Sequence, residues 1–277
     1  MPRPELLARL HNCDGVIVTG SDRVDAEFLD AAPKLKVVSC FAVGYDNVDV
    51  PEATRRHIVV TNTPDVLTDA CADLTWALIL AVARRIIEGD RLARLGEWRG
   101  WAPTQLRGVE IAGKTLGIVG AGRIGTAVAK RAAGFSMRVI FFSRRSPREK
   151  FVEVLRESDF VSVHVPLTAE TRHMFGEAEF RKMKPTAYFI NMARGPVHDE
   201  AALVRALREG WIAGAGLDVY EHEPKIAPEL VQMPNTVLLP HLGSATVETR
   251  RRMAMLAAEN LVAVLTGKAC PNVVNPS

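Results

Sequence analysis

The chain has 277 residues, 48% apolar and 24% charged, which is enough for two modest domains with their own cores. Its 35 basic and 32 acidic side chains give a net charge of +3 spread along the sequence, which argues against a nucleic-acid or membrane partner. Four scattered cysteines (Cys13, Cys40, Cys71 and Cys270) form no CxxC pair and no signal-peptide pattern opens the chain, so a disulfide framework, a zinc site and secretion are set aside and the cytoplasm is the expected location.

Short β-branched runs alternate with longer helical patterns, the signature of an α/β fold with parallel sheets. In the first third, strands are predicted at 15–19, 36–39 and 58–60, with helices at 26–30 and 51–56. Thr63, Pro64 and Asp65 form a helix-start signal. The helix it opens is predicted to run to Glu88 as a connector between domains. Its apolar stretch, 74–87, contains Arg84 and Arg85 and is too short to span a bilayer. Arg84, Arg85, Arg91 and Arg94 read as a solvated helix face. A loop with Trp98 and Trp101 follows. A second alternating series then places strands at 115–119, 138–142, 160–163, 187–191, 214–217 and 237–239. The last helix, 247–266, puts Met253, Leu256, Leu261 and Val264 on one face.

Gly120, Gly122 and Gly125 complete a GxGxxG motif that directly follows the apolar run 116–119 and precedes a helical pattern. In that context the motif marks a dinucleotide site. The first glycine permits a tight turn, the second lets a pyrophosphate approach the backbone, and the third lets helix and strand pack closely. Arg123 and Ile124, between them, fall in the same binding segment, at a helix start whose free N–H groups suit an anion. The second strand of this unit ends in Ser143, Arg144 and Arg145, with no carboxylate to hold a ribose hydroxyl. Two guanidiniums there suit a phosphate. NADP(H) is therefore the expected coenzyme, with NAD(H) as the alternative.

Downstream, Arg194, Glu223 and His241 each follow a predicted strand, and so leave one edge of a single parallel sheet. Reducing a ketone requires a hydride, a proton and a group that holds and polarises the carbonyl. Imidazole titrates near neutrality, so His241 can supply the proton. Glu223, if paired with the other ring nitrogen, would fix the tautomer and favour the charged ring. Arg194 can bind a carboxylate. Each residue alone has an ordinary structural explanation, and His164, His173, His198 and His222 receive no role. No HExxH or clustered His/Cys pattern argues for a metal.

These segments, with the runs at 41–49, 61–68, 113–125, 165–168, 214–219 and 240–246, resemble the D-isomer-specific 2-hydroxyacid dehydrogenases. The resemblance covers nearly the whole chain. It is strongest to the glyoxylate/hydroxypyruvate reductase branch and extends to plant-type hydroxyphenylpyruvate reductases. It implies two Rossmann-like domains with parallel sheets and a cleft between them. Residues 1–66 and 244–277 would form the substrate domain, and 67–243 the coenzyme domain. It also implies that the Val43 and Gly44 N–H groups hold the substrate carboxylate, that Ser244 lies near the substrate, and that Asp218 lies near the nicotinamide carboxamide. A homodimer built on the coenzyme domain is implied as well, with the 98–101 loop near the partner's site.

Two departures from the family carry structural expectations. The family's first strand, helix and second strand have no counterpart here, which shortens the small domain and leaves strand 15–19 as an exposed edge. The segment 147–152 is short for the family, implying loss of the coenzyme domain's third, edge strand.

The expected activity is an NADPH-preferring reduction of glyoxylate or hydroxypyruvate to the 2-hydroxy acid, with His241 as proton donor. Reduction of 2-ketogluconate or 4-hydroxyphenylpyruvate is the alternative within the class. Outside it stand an NAD(P)-sensing module of the co-repressor type and an inactive, truncated product.

Overall fold

In the computed structural model, which describes residues 2–275, the chain divides into two units. One comprises the residues up to Leu67 together with those from Ser244 onward, and the other is Thr68–Gly243. The first unit opens with α1 (Arg3–Leu10), β1 (Gly15–Val18), α2 (Ala26–Asp30), β2 (Val37–Cys40), α3 (Val50–Arg55) and β3 (Val59–Thr61). Both short helices start at an aspartate: Asp25 accepts the Phe28 N–H and Asp49 that of Glu52, satisfying donors that a helix leaves open. The strands pair in parallel in the order β1-β2-β3. All of β2 is buried, whereas β1 lies at the edge with Ile17 47% exposed.

The second unit contains α4 (Thr68–Ala83), α5 (Ile86–Arg94), β4 (Thr115–Val119), α6 (Arg123–Ala132), β5 (Arg138–Phe142), α7 (Arg148–Glu157) and β6 (Phe160–Val163). It continues with α8 (Glu177–Phe180), β7 (Tyr188–Asn191), α9 (Glu200–Arg208), β8 (Gly214–Leu217), α10 (Pro228–Gln232) and β9 (Thr236–Leu238). Six strands pair in the order β5-β4-β6-β7-β8-β9, in parallel throughout. One buried cluster joins the sheet to α7 and α9 through Phe151, Leu155, Phe189 and Leu203. Another joins it to α4 and α6 through Trp76, Ile79, Ile118 and Val128. This is a doubly wound α/β sheet, with β4 buried along its whole length. The chain passes from β5 through α7 straight to β6, so β5 is an edge strand among the described residues, as the short 147–152 segment implies.

The predicted helix from 63 to 88 is corrected. Asp65 has a φ of +68° and α4 begins only at Thr68. The helix then stops at Ala83, and Arg85 takes the left-handed conformation, φ +52°, before α5. The cause lies outside the helix. The Ala83 carbonyl accepts the Val109 N–H at 2.8 Å. Gly108 packs so close that a Cβ there would lie 2.3 Å from the same oxygen. Ala72, Trp76, Leu78 and Ile79 of α4 are buried, so the helix is a core element of the second unit rather than a bare connector. Arg84 and Arg85 lie at the break instead of on a continuous helix face.

The chain returns to the first unit with α11 (Val247–Leu265), capped by the Thr246 side chain accepting the Thr249 N–H. This helix packs on β1, β2 and β3, and the Ser39 hydroxyl donates to the Ala257 carbonyl at 2.9 Å. Of the four apolar residues expected on its inner face only Met253 is buried. Thr249, Ala257 and Asn260 complete that face, and Leu256, Leu261 and Val264 are half-buried. Asn260 is drawn inward because it bridges two loops, donating to the Asn62 carbonyl and accepting from the Asn272 amide, each at 2.9 Å.

Candidate active site

The loop after β4 is built for close approach. Gly120 has a φ of +108°, and a Cβ on it would lie 2.6 Å from the His164 carbonyl carbon. Its N–H donates to Phe142 O at 2.9 Å, fastening the loop to the end of β5. A Cβ on Gly125 would lie 2.1 Å from the Gly120 carbonyl oxygen, whereas one on Gly122 would meet nothing within 4 Å. Gly122 also precedes α6 without offering a side-chain cap. The N–H groups of this helix start, beside open space, fit the pyrophosphate of a dinucleotide. Arg123 is exposed and Ile124 half-buried. Beyond β5, Ser143 and Ser146 close a turn through their hydroxyls, 3.2 Å apart. Arg144 and Arg145 stand exposed on that turn, and guanidiniums can hold a phosphate.

Arg194, Glu223 and His241 follow β7, β8 and β9 at the carboxyl edge of the same sheet. Asp218 shapes the last of these turns. Its two oxygens accept the Leu242 and Gly243 N–H groups at 2.7 and 2.8 Å, and its carbonyl accepts the His241 N–H at 3.0 Å. His241 itself has a φ of +56°. Burial raises the Asp218 carboxyl above its ordinary value, against the pull of those two N–H groups.

His241 Nδ1 lies 2.9 Å from Glu223 Oε2, and Glu223 Oε1 accepts the Tyr220 N–H at 3.0 Å. Burial pushes the Glu223 carboxyl up. The His241 hydrogen bond and charge, the Tyr220 N–H and the Arg194 charge outweigh burial and hold it below the usual range. The loop carrying Arg194 presses on the loop carrying Glu223, since a Cβ on Gly195 would lie 1.8 Å from the Tyr220 carbonyl. Only glycine admits that contact.

The second unit thus gathers Arg194, Asp218, Glu223 and His241, together with the 120–125 loop. Val43, Gly44 and Ser244 belong to the first unit, where the Val43 carbonyl accepts the Asn62 amide at 2.8 Å. Three histidines left without a role have definite partners: His173 Nε2 lies 2.6 Å from Glu221 Oε1, His198 Nδ1 lies 3.0 Å from the Asn191 amide, and His164 Nε2 lies 2.8 Å from the Ser162 hydroxyl. The first pair is separated by 48 positions, and no local pattern announces it. Burial pushes the His164 pKa down to about 3. Among the described residues no group of His, Cys, Asp and Glu is arranged to hold a metal, and no helix is long and apolar enough to cross a membrane.

Residues 76–243 match the D-isomer specific 2-hydroxyacid dehydrogenase, NAD binding domain. Over 99% of this chain and 87% of its own length, a glyoxylate reductase of Thermococcus litoralis is 54% identical. The chain belongs to the D-isomer-specific 2-hydroxyacid dehydrogenase family. It is an oxidoreductase with a dinucleotide-binding domain. Among solved structures, a protein of Thermus thermophilus superposes with a TM-score of 0.94 at 49% identity, over 99% of this chain and 90% of that one. An NADPH-dependent glyoxylate/hydroxypyruvate reductase of Sinorhizobium meliloti, in complex with NADP and malonate, gives a TM-score of 0.89 at 39% identity, over 96% and 85%.

Proposed function

We propose that this protein reduces glyoxylate and hydroxypyruvate to their 2-hydroxy acids and prefers NADPH. The observation that carries the reading is the His241–Glu223 pair, 2.9 Å apart, on the same sheet edge as Arg194. A reduced nicotinamide coenzyme held by the 120–125 loop would supply hydride chemistry at the 2-oxo carbon. His241, oriented through Nδ1, gives the proton from Nε2 to the forming alkoxide. Arg194 binds the substrate carboxylate and draws charge from the carbonyl oxygen. Asp218 holds the His241 turn and would hold the carboxamide of a bound nicotinamide.

The coenzyme preference rests on Ser143, Arg144 and Arg145, and on the lack of an acid at the end of β5. The glyoxylate reductase name of the relatives supports the substrate class. A homodimer through the coenzyme domain fits the exposed Trp98 (61%) and Trp101 (83%), which line a groove of about 260 Å³ with Leu92 and Leu106. Light scattering should give twice the chain mass, and a monomeric mass would remove the dimer.

The decisive test is oxidation of NADPH and NADH at 340 nm with glyoxylate, hydroxypyruvate, 2-ketogluconate and 4-hydroxyphenylpyruvate. The highest kcat/KM is expected for the two small acids with NADPH. A higher value with NADH overturns the coenzyme choice, and a higher value with either larger acid overturns the substrate choice. NADPH binding without turnover of any acid overturns the enzyme reading in favour of a sensing module.

A further inference from the structure

β7 ends at Asn191, which is fully buried, and residues 192–194 continue without regular structure. The Asn191 side chain supplies the missing support. Its Oδ1 accepts the Ala193 N–H at 2.9 Å, while Nδ2 donates to the Arg194 carbonyl at 3.0 Å and to His198 Nδ1 at 3.0 Å. One amide therefore ties together the start of the loop, its arginine and the residue where it ends. Three of the four hydrogen-bonding positions of the amide are used. The Arg194 carbonyl also receives the Val197 N–H at 3.2 Å.

His198 is itself fixed. It is fully buried, meets the Phe189 ring edge-on at 5.6 Å, and donates its backbone N–H to the Gly195 carbonyl. Burial holds its pKa down to about 4, so near neutrality the ring is uncharged and Nδ1 can accept the Asn191 N–H. The ring hydrogen then sits on Nε2, which has no hydrogen-bond partner among the described residues.

We propose that Asn191 and His198 are positioning residues for substrate binding: they fix the main chain at the root of Arg194 and so set how tightly it holds a 2-oxo carboxylate. The proposal rests on the reading of Arg194 as the carboxylate anchor. An arginine side chain has much rotamer freedom to lose on binding. A root held on both sides, with the guanidinium Nη1 also donating to the Ala193 carbonyl at 2.8 Å, limits what must be ordered on binding, and a small displacement of the fork weakens both hydrogen bonds to a carboxylate.

The test compares His198→Leu, His198→Asn, Asn191→Asp and Arg194→Gln. Leucine removes the acceptor. Asparagine keeps a polar atom near the position of Nδ1. Aspartate at 191 turns an oxygen toward two acceptors. The readouts are KM and kcat for glyoxylate, the Kd of oxamate for the NADPH-bound enzyme, and the Kd of NADPH by nicotinamide fluorescence. For His198→Leu and Asn191→Asp, KM and the oxamate Kd should rise roughly tenfold, with kcat and the NADPH Kd within about threefold of wild type. His198→Asn should recover most of the loss.

An unchanged oxamate Kd in His198→Leu overturns the proposal, as does a His198→Asn variant as impaired as His198→Leu. If Asn191→Asp fails to bind NADPH because it does not fold, the His198 pair still decides. An Arg194→Gln enzyme that binds oxamate as wild type does overturns the anchor reading instead, so the two failures are distinguishable.

Discussion

His241 Nδ1 lies 2.9 Å from Glu223 Oε2, and the other oxygen of that carboxylate is held by the Tyr220 N–H at 3.0 Å. The carboxylate is thus anchored before it orients the imidazole, and Nε2 is left for proton exchange. Glu223→Gln preserves the shape and removes the charge. In this variant kcat for glyoxylate reduction should fall about 10- to 100-fold, with the NADPH Kd unchanged. A steady-state kcat within a factor of about two of wild type would show that the carboxylate has no part in the proton transfer.

His241→Gln is the stronger test of the acid role. Asp218 still holds the backbone of its turn through Leu242 and Gly243, so the coenzyme domain should fold and bind NADPH. Turnover should be lost by roughly 100-fold or more. Turnover near wild type, measured at 340 nm, would assign the proton to another donor.

Arg144 and Arg145 stand exposed after β5. The double variant Arg144→Ala/Arg145→Ala removes two charge-assisted contacts to a 2′-phosphate and none to a ribose hydroxyl. The KM for NADPH should rise roughly 10- to 100-fold while that for NADH stays nearly constant. An equal effect on both coenzymes would mean that these arginines do not read the phosphate.

Two glycines of the 120–125 loop should behave differently. A methyl group on Gly125 would lie 2.1 Å from the Gly120 carbonyl oxygen, but one on Gly122 would meet no protein atom within 4 Å. Gly125→Ala should therefore lower the unfolding midpoint along with NADPH affinity. Gly122→Ala should keep the midpoint and lose affinity, because its methyl group intrudes only on the space proposed for the pyrophosphate. Thermal melts with and without NADPH separate the two, and a Gly122→Ala enzyme with wild-type affinity would refute the cradle.

The strands were legible where they are buried parallel strands. The bounds of β4, β6 and β8 coincide with unbroken apolar or small-residue runs, because a strand covered on both faces leaves no polar alternation to blur its ends. The break between α4 and α5 was not legible, since the Val109 N–H that captures the Ala83 carbonyl comes from a distant loop. The segments carrying Arg194, Glu223 and His241 could be located from strand ends alone. The support beneath them could not. An asparagine and a histidine seven positions apart give no periodic signal, and their contact exists only because the chain after β7 folds back on itself.

His198 also makes stability depend on pH. An unfolded histidine takes up a proton as pH falls through about 6.5. In the fold, burial outweighs the opposing charges of Glu221 and Asp199 and delays that uptake to about 4. Between the two values the unfolded state binds one more proton than the folded one, so this contribution is complete above about pH 6.5 and declines as pH falls, by about 1.4 kcal/mol per unit. In His198→Asn nothing at this position titrates. Urea unfolding followed between pH 7 and pH 5 should show a steep loss of stability in wild type and a shallower one in His198→Asn, the slopes differing by about one proton. Parallel slopes would mean that His198 is protonated as easily in the fold as out of it, and the uncharged ring that accepts from Asn191 would lose its basis.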